Sequence, residues 1–447
     1  MDAGDLIDLE ITDVAHGGVF VGRHEGRVVF VPDAIPGERV RVRLTDVAKK
    51  AYWRGEVLEI LDASPDRRPH VWRAADVDRA PEQRPGGADF GHIALDRQRA
   101  LKQEVLADAL RRIGGLDIDA RVDPPTPLTA ADGTVVAEES PDGTGWRTRV
   151  SLHVDAEGRI GPFAARSHRV IPVDDLPLAT PGVADAALRL THGAPGRLDL
   201  VQPADGRVRV IPRPDRPRPV RGARRGARSA APRGPRPGDE AAREVVREEV
   251  DGRSFLVDAG GFWQVHRLAA HTLTRRVDAA VRALAPDPDA THLDLYGGVG
   301  LFAATIAGTI GSATRIISVE SDARATEHAG ENLADWVGAR AETARVDRWL
   351  ARTLAEASVR ERERLARGLV LLDPPRAGAG REVVESIAAL QPAHVVYVAC
   401  DPVALARDLA TFRELGYETD AVDGIDLFPH SHHLEAIAVL RASAARA

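Results

Sequence analysis

Four strand-length apolar runs, each ending in a chemically distinctive group, constrain the C-terminal third of this 447-residue chain more than any other feature. His292-Leu293-Asp294-Leu295-Tyr296 runs into Gly297-Gly298-Val299-Gly300, which opens a helix predicted over Leu301–Ala307. Arg315–Glu320 stops on an acid, and Leu369–Leu372 delivers Asp373-Pro374-Pro375-Arg376. His394–Ala399 ends at Cys400-Asp401-Pro402. Strands alternating with helical stretches predict an α/β domain with an open, mainly parallel sheet. Ligands of such a sheet bind in the crevice outside the carboxyl ends of the strands, so that crevice is where these groups should act.

Each group suits a task there. A glycine-rich turn after a first strand lets a ligand approach backbone at a helix N-terminus. An acid about twenty positions further on, Glu320, can accept hydrogen bonds from both hydroxyls of a ribose. The glycines lack the spacing of a dinucleotide site. Asp294-Leu295-Tyr296-Gly297-Gly298-Val299-Gly300 is similar instead to the turn of S-adenosylmethionine (SAM) enzymes, which makes Gly298, Gly300 and Glu320 cofactor candidates. Two prolines after Asp373 hold that carboxylate rigidly over the cofactor's reactive end. Cys400 is the only cysteine; away from this context it would read as a small buried hydrophobe, but at a strand end it reads as a nucleophile. Glu435, at the mouth of a last strand over Ala436–Leu440, is a solvated edge charge or a base; beside Cys400 it reads as a base. His430, His432 and His433 invite a metal, but no cysteine or carboxylate cluster completes a ligand set, so none is expected.

Residues 5–62 read as five short strands punctuated by Gly17-Gly18, Glu25-Gly26 and Pro36-Gly37, a small barrel of the oligonucleotide-binding kind. Lys49, Lys50, Tyr52, Trp53 and Arg54 mix cations with aromatics, as single-strand RNA binders do, and two of the chain's three lysines lie here. A plain barrel whose aromatics fill its mouth is the alternative. Ser64–Pro69 is a linker, and Leu95–Ile113 a helix stopped by Gly114-Gly115. Strand-like segments follow at Trp146–His153, Arg159–Phe163, Leu198–Gln202 and Arg207–Ile211. The Arg/Pro-rich stretch near 212–238 has almost no large apolar residue and reads as a disordered insertion or a basic arm touching phosphates. Glu248–Val257 resumes strand character and leads to Gly261-Phe262-Trp263-Gln264.

A net charge of −7 excludes a uniformly basic nucleic-acid coat but not a local basic track. One cysteine excludes an internal disulfide or a four-thiolate cluster. The acidic start Met1-Asp2-Ala3-Gly4-Asp5 is unlike a signal peptide, and no apolar run approaches the roughly 20 residues that span a bilayer. A cytoplasmic location, without a membrane partner, is expected.

Taken in order, Phe262-x-Gln264, Asp-Leu-Tyr-x-Gly-x-Gly, Asp-Pro-Pro-Arg, the strand-end cysteine and Phe428-Pro-His-x-His-His-x-Glu435 resemble the RNA 5-methyluridine methyltransferase family over essentially the whole chain. Val28–Glu38 resembles the centre of a TRAM domain, an RNA-binding barrel. The resemblance implies a SAM-dependent enzyme in three parts: a barrel over 1–63, an inserted α+β central domain over 64–255, and a Rossmann-like methyltransferase domain over 256–447. It implies that Gln264, Tyr296, Glu320 and Asp373 line the SAM site, with Cys400 as nucleophile and Glu435 as general base. The partner implied is RNA, either tRNA or large-subunit rRNA, and a monomer suffices. Many members carry an iron–sulfur cluster on four cysteines. Val71, Pro85, Ala88 and Leu176 stand in those places here, so no cluster is expected. Ala399-Cys400-Asp401 replaces the family's Ser-Cys-Asn. Two other readings remain: a catalytically silent RNA-binding protein that keeps the SAM fold, and a methyltransferase acting on an exocyclic amine, which needs no thiol.

Overall fold

A computed structural model describes residues 1–215 and 238–443. Most of the Arg/Pro-rich stretch therefore lies outside the described residues; residues 212–215 and Gly238 are described, the former completing the strand Arg209–Pro214. The N-terminal strands Leu6–Ala15, Val19–His24, Arg27–Val31, Arg39–Asp46 and Tyr52–Asp62 close into a five-stranded barrel. Alternating residues such as Ile7, Leu9 and Ile11 point inward onto Phe20, Val29, Val42 and Val57, as period-two patterning requires. Trp53 belongs to this core at 4% exposure, with the Arg27 guanidinium over its ring. Its face is closed to a base, which corrects its expected place among the RNA contacts. Lys49, Lys50 and Arg54 stand exposed, and Tyr52 is half-buried.

Among the described residues, the main sheet has eight strands in the order Ala339–Thr343, Arg315–Glu320, Thr291–Leu295, Leu369–Leu372, His394–Ala399, Glu435–Ala442, Tyr417–Ile425 and Val122–Asp123. The first five run parallel. The last long strands are antiparallel, so the sheet is mixed rather than all parallel. Leu369–Leu372 and all but the first residue of His394–Ala399 are buried, as strands covered on both faces must be. The helix Leu95–Ala109 packs on this end of the sheet, where Leu106 joins the core that includes Leu409, Phe412 and Val422.

Between barrel and sheet, Ile160–Gly161, Arg149–Val154, Gly196–Val201 and Arg209–Pro214 form a four-stranded antiparallel sheet. The strand-like run over Glu248–Val257 lies within a hairpin, Val245–Val250 against Arg253–Asp258. Asp251 (φ +49°) and Gly252 (φ +81°) make the turn, which is the Asp-Gly signal for a two-residue hairpin loop.

Candidate active site

The nucleotide-type turn is built by sterics. Tyr296, Gly298 and Gly300 all have positive φ between the strand Thr291–Leu295 and the helix Leu301–Ile310. A Cβ on Gly297 would sit 2.0 Å from Ser318 Oγ and 2.7 Å from Asp294 Oδ2, so only glycine fits. Asp294 Oδ2 accepts from the Ala303 amide at 3.1 Å and from Ser318 Oγ at 3.2 Å, fastening the turn to the next strand. Gly298 instead faces open space. Its amide donates to Glu320 Oε2 at 3.2 Å, and Glu320 Oε1 accepts from the Asp322 amide at 2.8 Å. A carboxylate oxygen retains further lone pairs after these bonds, so a bare backbone turn and an acid face the same space.

That space is a cleft of about 1260 Å3 lined by Gln264, Tyr296, Gly298, Glu320, Asp373, Cys400 and Glu435. Every cofactor and catalytic candidate except Gly300 therefore borders one cavity; Gly300 lies behind the turn as the N-cap of the helix, against Leu333. Phe262 stands at the cleft's edge at 72% exposure. The turn, the acid and an apolar ring suit the ribose and adenine of SAM, and the cleft has room for a second ligand.

Cys400 and Glu435 meet through antiparallel pairing. Ala399 pairs with Ala436, which sets Cys400 and Glu435 side by side at the ends of adjacent strands. Glu435 is 7% exposed, and Cys400 is half-buried. Burial, then the charges of Glu435 and Asp373, push the thiol up to about 12, against the pull of Arg376. Burial raises Asp373 to about 7, helped by the charge of Asp294, and holds Glu435 well above the carboxylate range. The site thus resists negative charge, and the resting sulfur is a thiol.

The loop that ends in Glu435 is clamped from below. The fully buried Lys102 ammonium donates to Asp426 and to the Phe428 carbonyl at 3.0 Å. Gln98 Oε1 accepts from the His430 amide at 2.7 Å. The three histidines have separate partners: His430 bonds to Gln98 and the Asp142 carbonyl, His432 pairs with Asp89, and His433, its ring 4.0 Å from that of His432, meets Arg376 at 3.2 Å. From the other side the barrel arrives. His16 Nε2 lies 3.2 Å from Asp401 Oδ2, whose Oδ1 caps the helix Pro402–Glu414, and His16, Gly18 and Cys400 border one small cavity. Val71, Ala88 and Leu176 belong to an apolar cluster around Trp72 and Trp146, and Pro85 is buried beside Ala164.

Sequence reasoning passed over Lys102, Asp426, His16 and Arg376. The last stood within a quoted motif; for the others no local signal exists, because their partners lie hundreds of residues away.

Residues 3–58 match the TRAM domain model, and residues 266–443 match the tRNA (uracil-5-)-methyltransferase model. The chain is 39% identical to an RNA methyltransferase of Streptomyces avermitilis described as uncharacterized, over 99% of both chains. It is 33% identical to one of Bifidobacterium longum, over 97% of this chain and 96% of the other. The fold superposes on Pyrococcus abyssi tRNA (uracil-54, C5)-methyltransferase, crystallised with S-adenosyl-L-homocysteine, with a TM-score of 0.65, 22% identity and coverage of 97% and 99%. The chain is an enzyme of the RNA methyltransferase family in which a TRAM domain precedes a tRNA (uracil-5-)-methyltransferase domain.

Proposed function

We propose that this enzyme methylates carbon 5 of a specific uridine in structured RNA, tRNA or large-subunit rRNA, through a covalent adduct between Cys400 and carbon 6. The observation that carries the reading is the pairing that sets Cys400 and Glu435 together on the cleft that also holds the Gly298 turn, Glu320 and Asp373. Gln264, Tyr296, Glu320 and Asp373 hold SAM, with Gly298 giving its backbone close approach. SAM, when bound, supplies the methyl group as an electrophile.

Carbon 5 of uracil is a weak nucleophile. Addition of Cys400 sulfur to carbon 6 moves the ring's double-bond electrons toward the carbon-4 oxygen, so carbon 5 becomes enolate-like. The thiol proton leaves to solvent through the open cleft as the bond forms. Because burial and two carboxylates oppose the thiolate, this ionisation is coupled to addition instead of preceding it. Arg376 is the cation that opposes their effect at the sulfur. Once carbon 5 carries its methyl group, the remaining proton there must leave before sulfur can. Glu435 takes it, the carbon 5–carbon 6 double bond re-forms and the thiolate departs. Its raised affinity for protons makes Glu435 a stronger base than a solvated glutamate.

The target base must leave its stack to enter such a cleft. Lys49, Lys50, Tyr52 and Arg54 on the barrel suit a track for the surrounding strand, and the three segments 1–63, 64–255 and 256–447 divide the work among RNA contact, bridging and chemistry. The enzyme acts in the cytoplasm as a monomer. A silent RNA-binding protein has no use for an acid-lined thiol, and amine methylation has no use for a thiol at all. The test is mass-spectrometric mapping of 5-methyluridine in total RNA from cells with and without the gene. One missing site identifies the substrate as tRNA or rRNA; an unchanged map overturns the reading.

A further inference from the structure

Arg147 faces the catalytic cleft without a carboxylate partner among the described residues. Its Nε donates to the Arg149 carbonyl at 3.0 Å, and its guanidinium lies 5.6 Å from the Trp146 ring centre. Burial and the nearby charge of Arg376 both press against its cation. Arginine nevertheless stays charged in proteins, so a cation held this way lacks a counter-ion.

The same side chain borders a second cavity of about 380 Å3. Arg147 and Gly87 line both spaces, so the two adjoin. The second cavity is walled by Trp72, Leu152, Leu176 and an aromatic pair: the His153 and Phe163 rings stack with centroids 3.4 Å apart and planes 11° apart. Arg166 stands exposed on its lining with φ +58°, a backbone conformation few side chains adopt. An apolar pocket of this size, with ring faces and a few cations, suits a flat aromatic ligand attached to an anion.

We propose that this cavity receives a second unstacked base of the substrate RNA, next to the target uridine, and that Arg147 binds the phosphate joining the two nucleotides. Two adjoining cavities with an unpaired guanidinium on their shared wall match two adjacent nucleotides with one phosphate between them. The proposal rests on the reading that the larger cleft holds a flipped uridine of RNA.

The experiment measures methyl incorporation from labelled SAM into total RNA from cells lacking the gene, at several RNA and salt concentrations. Phe163→Leu, which keeps apolar volume but removes the ring, should lower kcat/KM for RNA about ten-fold with the wild-type salt slope, and Phe163→Trp should restore most of it. Arg147→Gln should lower kcat/KM and flatten its log–log salt dependence by about one charge. Calorimetric affinity for S-adenosyl-L-homocysteine should match wild type in all three, which also shows that each is folded. Unchanged kcat/KM in Phe163→Leu removes the base from the cavity. Weakened S-adenosyl-L-homocysteine binding in Arg147→Gln reassigns the guanidinium to the cofactor. Failure of the wild-type enzyme to methylate RNA is a different result, and sinks the uridine reading itself.

Discussion

Asp373, Glu435 and Cys400 border one cleft, and burial disfavours the charged form of each, so stability and turnover depend on pH. Asp373 titrates near 7 in the fold against 3.8 when solvated, mainly because it is buried. Its ionised form is the one the fold penalises. The penalty is absent below the solvated value, grows as pH rises, and is complete above about 7. Asp373→Asn should therefore stabilise the protein at pH 8 by roughly 1–3 kcal/mol, and by less at pH 5, while impairing methyl transfer. Thermal unfolding at the two pH values checks this; equal shifts at both would contradict it. Catalysis runs with the opposite sign. In the proposed mechanism Glu435 acts ionised and Cys400 loses its proton, so kcat/KM should climb with pH through the neutral range. A flat profile between pH 6 and 9 would show that neither group titrates in the rate-limiting step.

Elements differ in how much of their placing the sequence carried. The strands Arg315–Glu320, Leu369–Leu372 and His394–Ala399 were legible because continuous apolar runs with polar stops have few other solutions. The strand Tyr417–Ile425 was not, since Glu418, Thr419, Asp420 and Asp423 break its apolar run and it becomes a strand only between two others. The helix Leu95–Ala109 was read correctly as a helix but not for its use: Gln98 and Lys102, one turn apart, grip the loop before Glu435. Lys102 and Asp426 are both fully buried. Asp426 keeps the Arg99 guanidinium 3.4 Å away when Lys102 is removed, so Lys102→Met should cost roughly 1–3 kcal/mol, less than a fully stranded buried charge, whereas Lys102→Met with Asp426→Leu should recover part of it. Denaturant unfolding of the single and double variants decides. Equal loss in both would mean that the pair does not act as a unit.

At the scale of the whole molecule, the barrel packs against the end of the sheet that carries Cys400. Its Val19–His24 strand begins beside Gly18, where a Cβ would lie 2.8 Å from the His432 ring, and His16 reaches the residue after Cys400. Gly18→Val should push barrel and final loop apart and lower kcat roughly ten- to hundred-fold, with S-adenosyl-L-homocysteine affinity retained. Steady-state kinetics with calorimetry test this, and wild-type kcat would show that the contact is incidental. None of these contacts was visible in the linear sequence, because a histidine in a turn and a glycine pair carry no mark of the surface they will meet. The strand-end groups were visible, since apolar runs that stop on them announce themselves locally.

The central claim is a bond from Cys400 to the RNA. Intact-mass analysis of the enzyme after incubation with SAM and RNA from cells lacking the gene, followed by nuclease trimming, tests it directly. Glu435→Gln should accumulate protein carrying a methylated nucleotide, and Cys400→Ala should carry none and turn over no RNA. Methylation by Cys400→Ala at a rate comparable to wild type would contradict the account.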